Sequence, residues 1–340
     1  MKRALTYDDV QIIPKYSEVK SRLECKLNTR FTKNKYINIP IIASPMDTIC
    51  GSDMANTLRH LGGVGILHRF CSISEQCSYI DKQTSCFHVA AVGVTGDWWE
   101  RSVELINHGC DVLLLDVAHG NHINVKNAIN KIKSVYSNIE VIAGNVCTYE
   151  GAKNLCEWGV DCVRANIGNG AMCTTRINTG VGIPSITSIL DCVRACDAFD
   201  VPVIADGGIR YPGDIAKALA CGADSVMLGS LLSGTYETPG EIQKIGIWPN
   251  ETLYKKYRGS ASLDMKLDNG YSKQNVEGVS KLVQYKGYVK HIIDDILDGI
   301  RSSMSYVGVT NLTEFRINAE LIEVTHSGII EASPHGLEKK

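Results

Sequence analysis

The residues best suited to chemistry stand in one stretch, Ala165-Asn166-Ile167-Gly168-Asn169-Gly170-Ala171-Met172-Cys173-Thr174-Thr175-Arg176, which continues through Thr179-Gly180-Val181-Gly182-Ile183-Pro184. A cysteine sulfur in its thiolate form is a nucleophile, and the hydroxyl of Thr175, two residues on, can orient a proton or a water beside it. Glycines at 168, 170, 180 and 182 permit backbone paths and close approaches that side chains forbid. That suits a loop whose carbonyls and N–H groups converge on something small, an ion or a ligand. A lone loop cysteine is more often an inert thiol in an ordinary connection, so the stretch alone leaves both readings open.

Such a loop needs rigid elements on both sides. Before it, Val163 to Ile167 has strand composition; after it, Thr187 to Phe199 has helical spacing. The same alternation runs through most of the chain. Apolar runs recur at Ile39 to Ser44, Gly62 to Leu67, His88 to Val94, Val112 to Val117, Glu140 to Val146, Val163 to Ile167, Pro202 to Gly207 and Ser225 to Leu231. Amphipathic segments lie between them, at Asp53 to Leu61, Trp98 to His108, Asn124 to Val135, Tyr149 to Trp158 and Gly213 to Cys221. Eight buried strands alternating with helices imply a parallel α/β fold, and the number favours a closed (β/α)8 TIM barrel as a single domain. No G-x-G-x-x-G follows the first strand, as a dinucleotide-binding doubly wound sheet would require.

In a barrel the chemistry gathers at the C-terminal strand ends, so Ser44 and Met46, Asp116, Asn145, the Cys173 loop, Asp206 and Gly229 converge on one mouth. Glycine-rich turns after the seventh and eighth strands commonly hold phosphate, which makes Gly207, Gly208, Gly229 and Ser230 a candidate cradle. Residues 1–37 read as an N-terminal extension capping the barrel bottom. Thr235 to Lys286 is too long and too weakly periodic for an ordinary connection and reads as an irregular flap over the mouth. Tyr288 to Ser303 reads as the last barrel helix, and the tail from Pro334 as frayed.

Composition narrows the partners. A net charge of −2 gives no general reason to bind nucleic acid or an anionic membrane. With no apolar run near the roughly 18 residues of a membrane span and no signal-peptide core after Met1-Lys2-Arg3, a cytoplasmic protein is expected. The 13 cysteines are scattered without a C-x-x-C pair, which favours free buried thiols over a disulfide framework. Cys192 and Cys196 share a helix face but have no partner pair nearby in sequence, so no zinc site is expected.

The Gly168 to Arg176 run resembles the active-site loop of the IMP dehydrogenase and GMP reductase family. Ala43-Ser44-Pro45-Met46-Asp47-Thr48, Val141 to Val146, Val203 to Arg210 and Val226 to Ser230 resemble the family in the same order. No CBS-type module interrupts the second and third strands. The resemblance implies a covalent bond between Cys173 and C2 of a purine nucleoside monophosphate, GMP or IMP, with Thr175 and Glu277 moving protons. It implies that Ser44, Met46, Asn145 and Asp206 contact base and ribose. Gly207, Gly208, Gly229, Ser230, Tyr257, Gly259 and Ser260 are then further nucleotide contacts, and Asp116, Val117 and Ala118 meet the nicotinamide side. It also implies backbone carbonyls of Gly168, Gly170 and Cys173 on K+, and a homotetramer.

Within the family, this chain is more similar to the reductases. Dehydrogenases use an Arg-Tyr pair in a longer flap to activate water, and no arginine lies between Ser262 and Glu277. Thr179-Gly180-Val181-Gly182 is likewise reductase-like. The implied activity is NADPH-dependent GMP reductase, with NADH possible because Gln274 stands where an arginine would grip the 2′-phosphate. The alternatives are an IMP dehydrogenase without CBS domains, using NAD, and a catalytically silent purine-nucleotide-binding barrel. Asp206 to Tyr211, His119-Gly120 and Tyr257-Arg258-Gly259 are closer to the dehydrogenases, and Ala171 replaces a usual phosphate-contacting Ser.

Overall fold

Eight parallel strands form the centre of the protein. A computed structural model describes residues 2–82, 87–247, 250–270 and 273–332. The strands are Ile41–Ala43, Val64–Gly65, His88–Val92, Cys110–Asp116, Glu140–Val146, Cys162–Ala165, Val203–Asp206 and Ser225–Leu228. They pair in chain order, the last with the first through Val226 to Leu228 against Ile41 to Ala43. A parallel bridge between Leu67 and Ala90 joins the second strand's end to the third and completes the ring. Each of the eight expected runs is a strand because each is apolar on both faces, as a sheet covered on both sides demands. One face fills the barrel interior with Ile42, Val64, Ile66, Val89, Ala91, Val112, Leu114, Ile142, Cys162, Ile204 and Met227. The other packs against the helix ring.

Helices follow the strands at Ser52–His60, Ile73–Asp81, Trp98–Asn107, Ile123–Val135, Tyr149–Glu157, Ser185–Asp197, Pro212–Ala220 and Val289–Val307. Ser72 and Thr148 accept N–H bonds at the starts of two of them, from Glu75 and Gly151. The last barrel helix runs to Val307, four residues further than expected from the sequence, and is capped by Gly308 in the left-handed conformation.

The N-terminal extension divides its work, which corrects the expectation of a bottom cap throughout. Only the hairpin Thr29–Arg30 with Tyr36–Ile37 closes the bottom: Phe31 and Ile37 plug the interior, while Thr32 Oγ1 donates to Glu140 at 2.9 Å. Residues 5–12 run along the mouth side. Leu5 O accepts the Ile186 and Thr187 N–H groups, Asp8 pairs with Arg210, and Val10–Ile12 pairs with Leu321–Glu323. The buried ring of Tyr7 lies against Gly208.

The flap also differs from the irregular segment expected. Gln243–Ile245, Thr252–Arg258 and Ser280–Gln284 form an antiparallel sheet, with the helix Leu263–Asp268 between its last two strands. Lys255 anchors its base, donating to the carbonyls of Thr235, Tyr236 and Thr238. The tail from Pro334 lies outside the described residues. Among the described residues no helix is long and apolar enough to cross a membrane.

One carboxyl at the barrel bottom has a pH consequence. Burial pushes the Asp224 carboxyl up to about 6, against the opposing pull of the Val203 N–H that it accepts at 2.9 Å. The folded chain therefore keeps this proton to higher pH than the unfolded chain, whose carboxyl releases it near 3.8. Its stabilising contribution is present below the unfolded value and lost as pH rises through the folded one, a loss on the order of 3 kcal/mol. Asp224→Asn should accordingly flatten the fall in urea midpoint between pH 4 and pH 7. An unchanged slope would contradict it.

Candidate active site

All the candidate residues taken from the sequence line one cavity of about 540 Å³ at the C-terminal end of the barrel. Ser44 and Met46 reach it from the first strand, Asp116 to Ala118 from the fourth, Asn145 from the fifth, Asp206 to Gly208 from the seventh, and Gly229 with Ser230 from the eighth. The flap contributes Tyr257, Gly259, Ser260 and Glu277. The volume is that of a small-molecule site.

The cysteine loop is built by local geometry. Asn166 leaves the sixth strand with φ +88° and Gly168 follows at +77°, turning the chain into the mouth. Cys173 N–H bonds to Gly170 O at 3.0 Å, and a short helix, Thr175–Thr179, closes the loop before the left-handed Gly180. Asn169 holds this arrangement: its Nδ2 donates to Ser185 Oγ at 2.6 Å and its Oδ1 accepts from Arg176 at 2.7 Å. Gly207 is required beneath it, because at φ +80° an added Cβ would lie 2.9 Å from Gly170 N.

The sulfur's surroundings are the most informative part. Cys173 Sγ lies 3.1 Å from Thr175 Oγ1, and that hydroxyl donates to Glu277 Oε2 at 2.6 Å. The carboxylate therefore reaches the sulfur through one hydroxyl. Backbone bonds hold the two segments together, Thr174 N to Glu277 O and Val279 N to Met172 O, each 3.0 Å. Cys173 is partly exposed, whereas burial pushes Cys110 and Cys221 up to about 12 and leaves them inert protonated thiols. Cys196 faces Cys156 at 3.6 Å rather than sharing a metal with Cys192, and among the described residues no cluster of His, Cys, Asp or Glu could hold a metal ion.

At the other side of the cavity Tyr257 is buried, and its hydroxyl is 3.2 Å from the place a Cβ on Gly229 would take. Gly229 thus brings Tyr257, Met46 and the eighth-strand turn together. Sequence reasoning missed several groups that line the same cavity, among them Arg69, Arg164 and Met265. Arg164 had a signal, since a guanidinium inside the apolar run Cys162-Val163-Arg164-Ala165 must be paired when the strand is buried. It is paired with Asp116 and Asp206.

Comparison with known proteins agrees with this geometry. A family profile described as "IMP dehydrogenase / GMP reductase domain" matches residues 4–335. The chain belongs to the IMP dehydrogenase and GMP reductase family. It is 36% identical to an inosine-5′-monophosphate dehydrogenase of Borreliella burgdorferi, over 98% of this chain and 97% of that one. It is 38% identical to another from Cryptosporidium parvum, over 99% and 96%. Among solved structures it is similar to a cysteine-to-alanine variant of GMP reductase from Trypanosoma brucei in complex with guanosine 5′-monophosphate, with TM-score 0.93, 28% identity and 99% of each chain covered. Family membership makes the chain an oxidoreductase of purine metabolism on a TIM barrel, and the relatives span both activities of the family.

Proposed function

We propose that this family member is a GMP reductase, converting GMP to IMP and ammonia with NADPH as the reductant. The observation that carries this reading is the contact series from Cys173 Sγ through Thr175 Oγ1 to Glu277 Oε2. It places a proton-transferring carboxyl one hydroxyl away from the nucleophile, as departure of an amine needs. The dehydrogenase reaction needs a base that activates water. The only arginine of the flap, Arg258, is engaged by Asp47 and Asp268 and is not free for that task.

In this mechanism the Cys173 thiol proton passes through Thr175 to Glu277, Sγ attacks C2 of GMP, and Glu277 returns the proton through Thr175 to the 2-amino group. Ammonia leaves, and the purine remains bonded to sulfur. When bound, the nicotinamide supplies a hydride to C2, and the thiolate then departs to leave IMP. In sum, GMP, NADPH and two protons give IMP, ammonium and NADP+. Asn145 Nδ2 holds Asp206 Oδ2 at 2.9 Å, fixing a carboxylate that can accept from the nucleotide's ribose hydroxyls. Gly207, Gly208, Gly229, Ser230, Tyr257, Gly259 and Ser260 surround the remainder.

Asp116 offers a carboxylate toward the cavity beside Val117 and Ala118, an acceptor that fits the ribose hydroxyls of a nicotinamide cofactor. For K+, of the three expected carbonyls those of Gly168 and Cys173 accept no hydrogen bond among the described residues, which fits a hard cation taking oxygen ligands, whereas Gly170 O already accepts from the Cys173 N–H at 3.0 Å. The homotetramer belongs to the same reading.

IMP dehydrogenase is the second reading, favoured by the names of the relatives at 36% and 38% identity. Absorbance at the nicotinamide band separates the two. Purified protein with GMP should oxidise NADPH, and with IMP it should not reduce NAD+ at a comparable rate. The reverse outcome makes it a dehydrogenase, and neither change makes it a silent nucleotide-binding barrel.

A further inference from the structure

Two carboxylates of the cavity, Asp116 on the fourth strand and Asp206 on the seventh, share one guanidinium. Arg164 sits on the sixth strand, its side chain 9% exposed. Its Nη1 donates to Asp116 Oδ1 at 2.6 Å, while Nε and Nη2 both lie 2.9 Å from Asp206 Oδ2. The planar fork suits such bridging. Burial alone would depress this guanidinium's basicity, but the charges of Asp206 and Asp116 more than reverse it, so it stays ionised. The other charged or titratable groups facing the pair are Arg69, whose Nε is 3.6 Å from Asp116 Oδ2, and Tyr7 and Tyr257 near Asp206. Asn145 contributes a neutral donor to Asp206. The Gly144 backbone presses against this residue, since a Cβ there would fall 2.4 Å from Arg164 O, so the sixth strand cannot shift to relieve a lost contact.

We propose that Arg164 is a positioning residue that sets both ribose-facing carboxylates at once, so that nucleotide and cofactor sites depend on a single shared cation. The inference rests on the reading above, in which Asp206 faces the nucleotide's ribose and Asp116 the cofactor's. Without the guanidinium, the two carboxylates lose the cation that holds both of them in a poorly solvated wall. A carboxylate free to turn away is a poorer acceptor for ribose hydroxyls, so both ligands weaken.

The test is titration of GMP by calorimetry, together with KM for GMP and NADPH. Arg164→Met should raise both KM values tenfold or more, while Arg164→Lys restores most of both. An effect on one ligand alone overturns the proposal, as does a loss that lysine does not rescue. Should Arg164→Met fail to fold, Asp116→Asn carries the test. It removes one of the two charges that hold the guanidinium in place, and should weaken GMP binding threefold or more in the absence of cofactor, although Asp116 faces the other site. Unchanged GMP affinity overturns the proposal. Wild-type protein that neither binds GMP nor oxidises NADPH would instead refute the functional reading, a separate result.

Discussion

Cys173→Ala should reduce turnover by more than about 10⁴-fold while leaving GMP bound, because in the proposed mechanism the substitution removes the atom that bonds to the purine but none of the groups that surround the nucleotide. The cradle of Gly207, Gly208, Gly229 and Ser230 and the carboxylate of Asp206 are supplied by other strands, so the binding wall does not depend on the sulfur. The measurement is cofactor oxidation alongside calorimetric titration of GMP. Mass spectrometry after rapid acid quench adds a second observable: wild-type protein should carry a purine adduct on the peptide containing Cys173, and the variant none. Turnover retained in the variant would remove the covalent route altogether.

The second large effect concerns the acid. Glu277→Gln keeps the shape of the side chain and a hydrogen-bond partner for Thr175, but it has no proton of suitable acidity to deliver. Loss of a positioned general acid costs about 10²- to 10⁴-fold. That loss should fall on ammonia release, seen in single-turnover rapid quench, while IMP affinity changes little. Thr175→Val should resemble it, since the hydroxyl at 2.6 Å from the carboxylate is the link to the reacting centre. Equal losses in ammonia release and IMP binding would assign Glu277 to ligand binding instead.

The parts of this architecture that were legible in the sequence share one physical property: they are buried on both faces. Ile142 and Ile204 point into the barrel while Val141 and Val203 point outward to the helices, so strands such as Glu140–Val146 appear as continuous apolar runs. The cysteine loop was legible for a different reason, the density of glycines where the backbone adopts positive φ and passes close to its neighbours. The flap sheet escaped because its two outer strands are solvated and its central strand, Thr252–Arg258, buries Lys255 and Arg258 along with Tyr257. Gln243–Ile245 is exposed at all three positions and Ser280–Gln284 at four of five, so nothing in their polarity marks an inner face. The mouth-side strap escaped because its grip is made by backbone, Leu5 O on the Ile186 and Thr187 N–H groups, and by a tyrosine whose burial depends on a partner about two hundred residues away. Arg164 is the instructive case, since a charge inside an apolar run announced that partners existed without naming them.

The backbone ladder between Met172–Thr174 and Glu277–Val279 stitches the lid to the nucleophile's own loop. Swinging that lid aside breaks those bonds and carries the carboxylate away from the sulfur. In the proposed mechanism ligand exchange and proton delivery would therefore occupy different moments, and an opened protein would be protected from discharging its acid onto water or a half-seated nucleotide.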